Sequence, residues 1–210
     1  MTAQKPDTLL RPEDQSRLGS WEAIGQPMHG EATRTGNVEV IFSADAIAER
    51  LSTLASEIAA AGLDHLLVVA VLKGSFVFAA DLIRALHKVG LAPEVDFIAL
   101  SSYRKSKVSS GKVEILRDLD LCVDGRDVLL IDDELDSGRT LAFAKDLIAA
   151  RGARTVRTCV LLDKNVARAV DVRADFCAFR CENEFVVGYG MDVAHRYREL
   201  PFVGRVVGEP

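Results

Sequence analysis

Val128-Leu129-Leu130-Ile131-Asp132-Asp133-Glu134-Leu135-Asp136-Ser137-Gly138-Arg139-Thr140 changes character partway along its length. Four apolar residues run into four carboxylates within five positions, and a Ser-Gly-Arg-Thr turn follows. The apolar run predicts a buried parallel strand, and the amphipathic pattern from Leu141 onward predicts a helix. The acids and the turn therefore fall at the carboxyl end of a strand, where open α/β sheets bind ligands. Carboxylates crowded there repel one another and raise each other's pKa unless cations or hydroxyl donors compensate. The turn behind them offers backbone N–H groups and a helix N-terminus, which suit a phosphate. Ribose hydroxyls or Mg²⁺ beside a phosphate group fit this combination, which describes a sugar phosphate.

Two common loops are excluded. An EF-hand needs Gly at its sixth position and an acid at its twelfth. Counted from Asp132, those positions hold Ser137 and Phe143. A Walker A loop is absent as well.

At 210 residues, 49% of them hydrophobic, the chain has material for one domain with a short appendage. A net charge of −5 argues against general nucleic-acid affinity. No apolar run approaches the roughly 18–20 residues needed to span a bilayer, and no secretory pattern opens the chain. These features predict a cytoplasmic protein with no nucleic-acid or membrane partner. Cys122, Cys159, Cys177 and Cys181 form no Cys-x-x-Cys pair, and their contexts predict structural roles.

Residues 1–36 are polar and interrupted by Pro and Gly, which predicts an arm preceding a domain over 37–210. Trp21 is a candidate anchor for that arm. Ser43 is a candidate N-cap for a helix carrying Ile47, Leu51, Leu54 and Ile58, with Gly62 ending it. His65–Leu72 predicts a buried strand, and Lys73-Gly74-Ser75 turns into a helix ending near Gly90. Strands are expected at Val95–Tyr103, Val113–Leu116, Thr155–Leu162, Asp175–Arg180 and Phe185–Tyr189. Residues 104–112 are polar and basic, as in a mobile loop or hairpin tip. Alternating strands and helices give an α/β class with a mainly parallel sheet.

The segment Val128–Leu141 resembles the phosphoribosyl diphosphate (PRPP) motif of type I phosphoribosyltransferases. Leu72-Lys73-Gly74-Ser75 is similar to that family's pyrophosphate loop, and Ser102-Tyr103 to the start of its mobile active-site loop. Lys164, the segment Phe185–Asp192 and Arg198-Glu199-Leu200 resemble the purine-side motifs of its hypoxanthine-guanine branch. The resemblance covers about residues 38 to 207. It implies a type I phosphoribosyltransferase fold: a mainly parallel twisted sheet flanked by helices, a small hood for the purine and a mobile active-site loop. It also implies a purine-salvage transferase that moves 5-phosphoribosyl from PRPP to hypoxanthine or guanine, with Mg²⁺ as cofactor. IMP or GMP and pyrophosphate would be the products. A homodimer or homotetramer is the implied assembly.

Residue roles follow from the same resemblance. Asp132 and Asp133 would meet the ribose hydroxyls directly or through Mg²⁺, and Asp192 would be a further metal ligand beside the purine. Lys73, Gly74 and Arg198 would face the pyrophosphate, with the Lys73–Gly74 peptide cis. Asp136, Ser137, Gly138, Arg139 and Thr140 would cradle the 5′-phosphate, and Asp136 would double as general base near the purine N7. Lys164 would donate to the purine O6, which a 6-amino group cannot accept. Phe185 would stack on the base and the Val186 backbone would read its edge. Ser102 and Tyr103 would belong to the loop that closes over the sugar and excludes water.

The match departs from the family's pattern at Asp132 and Glu134 and, mildly, at Ser137 for Thr and Arg139 for Lys. The family's usual Glu-Asp-Ile is here Asp132-Asp133-Glu134. Asp132 is one methylene shorter than Glu. Glu134 adds a charge that either pairs with a basic side chain or acts on Asp136. The competing functional reading is a non-enzymatic, nucleotide-responsive regulator on the same fold.

Overall fold

The computed structural model describes residues 38–102 and 113–207. The chain divides into two units, Met1–Thr35 and Gly36–Pro210, and the described residues belong to the second. The expected arm, its Trp21 and the 104–112 loop with Tyr103 lie outside the described residues.

The main sheet grows from two apolar runs, β2 (Leu67–Leu72) and β5 (Asp127–Leu135). Each is buried on both faces, so alternate side chains enter different cores. Val68, Ala70, Leu129 and Ile131 pack with α1 (Ala44–Ala60) and α2 (Phe76–Lys88). Leu67, Val69, Val71, Val128 and Leu130 pack with α3 (Arg139–Ala150). Burial on both faces is the condition under which a parallel strand becomes continuously apolar. Ser43 caps α1 by accepting from the Ala46 N–H at 3.2 Å.

The remaining strands of this sheet are β3 (Glu94–Ser102), β4 (Val113–Arg117), β6 (Thr155–Lys164) and β7 (Phe176–Cys181). Their order is β4-β3-β2-β5-β6-β7. All neighbours are parallel except β3 and β4. From β2 the chain steps outward to β3 and β4, then returns to place β5 on the other side of β2. The order therefore reverses between β2 and β5, and their carboxyl-end loops diverge to leave a crevice.

A second sheet was not expected from sequence. It joins β1 (Val38–Phe42), β9 (Val203–Val206) and β8 (Val186–Val187) in the order β1-β9-β8. The expected strand over Phe185–Tyr189 is thus two residues long and belongs to this sheet. The chain turns away at Gly188 and Tyr189, both with positive φ. Arg205 ties the small sheet to the segment before Phe185, donating to Glu39 at 2.8 Å and to Glu184 at 2.8 Å. Phe42 stacks on Phe179 of β7 with ring centroids 4.3 Å apart, which docks the small sheet on the large one.

At the amino end of the main sheet, Asp127 is 3% exposed. It accepts from the Asp64 N–H, the Thr155 hydroxyl and the Arg154 guanidinium at 2.6–2.9 Å. The hydrogen bonds from Arg154 hold its carboxyl well below the usual carboxylate range. A carboxyl with a depressed folded pKa adds stability above its unfolded value, about 3.9, and loses it as pH falls further. Asp127→Asn should therefore destabilise the fold by about 1–3 kcal/mol at neutral pH. Urea titration of wild type and variant should show this gap narrowing as the pH drops below about 4. A pH-independent gap would overturn the assignment.

Candidate active site

A cavity of about 260 Å³ opens at the crevice between the ends of β2 and β5. It is lined by Lys73, Gly74, Asp132, Asp133, Glu134, Asp136, Ser137, Gly138, Thr140, Lys164, Phe185, Val186 and Asp192. Thirteen positions singled out in sequence thus meet at one place. Arg139 and Arg198 do not line it: Arg139 is exposed on the first turn of α3, and Arg198 stands behind Asp192. Ser102 is described by its backbone alone, as the last residue of β3. Tyr103 is outside the described residues.

The acidic end is closely packed. β5 continues through the acids to Leu135 instead of stopping at Ile131. Asp132 is 5% exposed and accepts from the Asp133 N–H at 3.0 Å. Burial pushes the Asp132 carboxyl well above its ordinary range, and the neighbouring Asp133 adds to the effect. Burial raises the Asp133 carboxyl as well. Asp133 in turn lies against the backbone of Gly74, where any Cβ would collide with its carboxylate. A side chain at position 74 would displace Asp133, so glycine is required for close approach of the two loops.

The Lys73 loop departs from expectation in one detail. The cis peptide is Leu72–Lys73, one bond earlier than expected, and Lys73–Gly74 is trans. The unusual bond coincides with the last residue of β2. The Ser75 hydroxyl donates to the Val71 carbonyl at 2.6 Å and closes this turn from beneath.

Beyond the acids, Gly138 adopts φ +82° as the N-cap of α3, a left-handed conformation suited to glycine. It provides no side-chain cap. The opening N–H groups of a helix have no intrahelical partner and carry the positive end of the helix dipole. Here they border the cavity beside Ser137 and Thr140, a combination that binds an anionic oxygen cluster.

The opposite wall is made by β6 and the small sheet. Lys164 is only 6% exposed, and its ammonium pairs with Glu134 Oε2 at 2.7 Å. Of the two fates left open for the Glu134 charge, pairing with a basic side chain is observed. Phe185 is 58% exposed, an unusual state for a large aromatic beside a cavity. Val186 next to it is buried at 4%. Asp192 pairs with Arg198 at 2.5 Å and accepts from the His195 N–H at 2.8 Å. Among the described residues, no group of three or more His, Cys, Asp or Glu forms a ready metal cage. One contact behind this wall had no signal in sequence. The Tyr189 hydroxyl donates to Asp81 of α2 at 2.6 Å, joining the Phe185–Asp192 segment to the helix behind Lys73.

Comparison with known proteins agrees with this geometry. The family model for a phosphoribosyl transferase domain matches residues 37–194. The hypoxanthine-guanine phosphoribosyltransferase of Bacillus subtilis is 42% identical over 167 residues, covering 79% of this chain and 91% of that protein. The bifunctional protein TilS/HprT of Listeria monocytogenes is 46% identical over 168 residues. That match covers 79% of this chain but only 25% of the relative, so the chain spans about a quarter of its length. A crystal structure of a hypoxanthine-guanine phosphoribosyltransferase from Bacillus anthracis superposes with a TM-score of 0.75 at 40% identity. It covers 80% of this chain and 98% of that one. With the crevice, the acidic strand end and the paired loops in place, the chain belongs to the phosphoribosyltransferase family, in its hypoxanthine-guanine branch.

Proposed function

We propose that this chain transfers the 5-phosphoribosyl group of PRPP to hypoxanthine or guanine, giving IMP or GMP and pyrophosphate. The carrying observation is that an anion cradle, an adjacent acid pair and a lysine–phenylalanine wall share one cavity. The cradle from Asp136 to Thr140 takes the 5′-phosphate. Asp132 and Asp133 take the ribose hydroxyls, and Lys73 and Gly74 border the pyrophosphate. Lys164 donates to the purine O6, Phe185 stacks on the ring and the Val186 backbone reads its edge.

The balance of the reaction assigns the remaining roles. A purine ring nitrogen forms a bond to C1 of the ribose as the bond from C1 to pyrophosphate breaks. The ring proton passes to Asp136. The separating charges need shielding from water, and Tyr103 is assigned to the loop that closes over the sugar.

Hard oxygen donors suit Mg²⁺, which is usually held by one or two carboxylates together with substrate phosphates. Asp132 and Asp133 fit that description, since a cation would relieve the crowding that raises both carboxyls. Asp192 is the third candidate. When bound, the metal neutralises the leaving pyrophosphate. Arg198 acts on this end through its ion pair with Asp192.

The proposal extends to organisation. Residues 37–210 constitute the catalytic domain and 1–36 an arm outside it. A cytoplasmic homodimer or homotetramer is the proposed state. No helix among the described residues is long and apolar enough to cross a membrane.

A base panel tests the reaction: PRPP and Mg²⁺ with hypoxanthine, guanine, xanthine, adenine or uracil, followed by nucleotide formation. Transfer to hypoxanthine or guanine is expected, with none to adenine or uracil. PRPP binding without transfer to any base would replace the enzyme by a regulator on the same fold. For the general base, Asp136→Asn should lower kcat by roughly 10²–10⁴-fold while PRPP still binds. Unchanged turnover in that variant would remove the role.

A further inference from the structure

The cavity contains an ion pair of which the reaction scheme uses only the lysine and leaves Glu134 without a role. Lys164 Nζ stands 2.7 Å from Glu134 Oε2, with 7% of the lysine side chain and 18% of the glutamate side chain exposed. Both line the cavity with Phe185. The pair spans adjacent strands. Glu134 of β5 is in register with Leu162 of β6, two residues before Lys164, so the two charges stand diagonally across the ladder.

A buried ammonium needs a counter-charge, and removing one partner leaves the other uncompensated. Lysine also carries its charge on a flexible four-carbon stem. One of its three N–H donors directed at Glu134 fixes where the ammonium sits and leaves two for a ligand. We propose that Glu134 is a positioning residue for base recognition. It holds the Lys164 ammonium at the cavity wall, where a 6-oxo group accepts from it. It also cancels the lysine charge, so an uncharged base meets a wall of no net charge. This role rests on the assignment of Lys164 to the purine O6.

The test is a double-mutant cycle on the full chain. Glu134→Leu and Glu134→Gln are each made in the wild type and in Lys164→Ala. Hypoxanthine affinity is read as KM and, with magnesium pyrophosphate replacing PRPP, by calorimetry. Glu134→Leu should weaken hypoxanthine on the order of tenfold, the loss of one charge-assisted contact. KM for PRPP should stay within about twofold, because no PRPP contact has been removed. Glu134→Gln should lose less, since its amide oxygen still accepts from the ammonium. In the Lys164→Ala background, Glu134→Leu should cause no further loss of hypoxanthine affinity.

The role is overturned by an unchanged hypoxanthine affinity in Glu134→Leu. It is equally overturned by the same loss with and without Lys164, or by a parallel rise in KM for PRPP. Should Glu134→Leu fail to fold, Glu134→Gln carries the same cycle, with thermal melting as the check on folding. A wild type that transfers to no base would sink the reaction itself. A wild type that transfers normally without coupling in the cycle would sink only the role of Glu134.

Discussion

Everything at this site depends on two adjacent carboxylates at a strand end, one buried and one half-buried. Asp132 and Asp133 follow four fully buried apolar residues without an intervening turn, so the strand carries Asp132 into the interior and leaves Asp133 half-buried at the cavity. Burial of a carboxylate disfavours its charged form, and a second one alongside disfavours it further. Both carboxyls are accordingly raised. A strand selected for packing alone would not end this way. The arrangement is useful when a ligand brings hydroxyl donors or a cation, because either converts the repulsion into binding. The surrounding loops exist in positions that allow this: Gly74 presses its bare backbone on Asp133, and α3 begins just beyond Asp136.

The topology explains why these loops converge. β2 and β5 are neighbours in the sheet, yet more than fifty residues separate them in the chain. The intervening β3 and β4 are laid on the far side of β2. The loops after β2 and β5 therefore leave in different directions, and the gap between them is the cavity. The third wall comes from the carboxyl end of β6 and the small sheet. The Phe42–Phe179 stack and the Tyr189–Asp81 hydrogen bond hold that wall to the rest of the structure.

How much of this was legible in sequence differs by element. The runs over Leu67–Leu72 and Val128–Ile131 announce themselves because both faces are buried, and Ser43 marks its helix through a local hydrogen bond. The small sheet was not legible. β1 has exposed positions, β1 and β9 have only five and four residues, and they pair across about 160 residues of chain. Such short non-local strands leave no period to read. Among site residues, the acids, Lys73, Lys164 and Phe185 stand out through motif and spacing. The Glu134–Lys164 pair could not be chosen over its alternative, because it depends on the register between β5 and β6. The position of the cis peptide, and the retreat of Arg139 and Arg198 from the cavity lining, likewise depend on backbone paths that composition does not encode.

The distribution of charge along the cavity gives the residue types a common logic. Lys73 and the positive end of α3 both border the cavity and attract phosphate groups. Asp132 and Asp133 are raised by burial and favour hydroxyl donors or a cation. Lys164 and Glu134 cancel each other on the same lining as the exposed Phe185. That part has hydrogen-bond donors and an apolar face but no net charge from the pair. A substrate complementary to all three sets carries phosphates, hydroxyls and a flat neutral ring. A phosphoribosyl donor beside a 6-oxopurine has all three. A metal phosphatase built on acids alone would need neither the balanced lysine nor the aromatic face. The neutralised lysine is thus the feature that ties the cavity to base transfer rather than to phosphate chemistry in general.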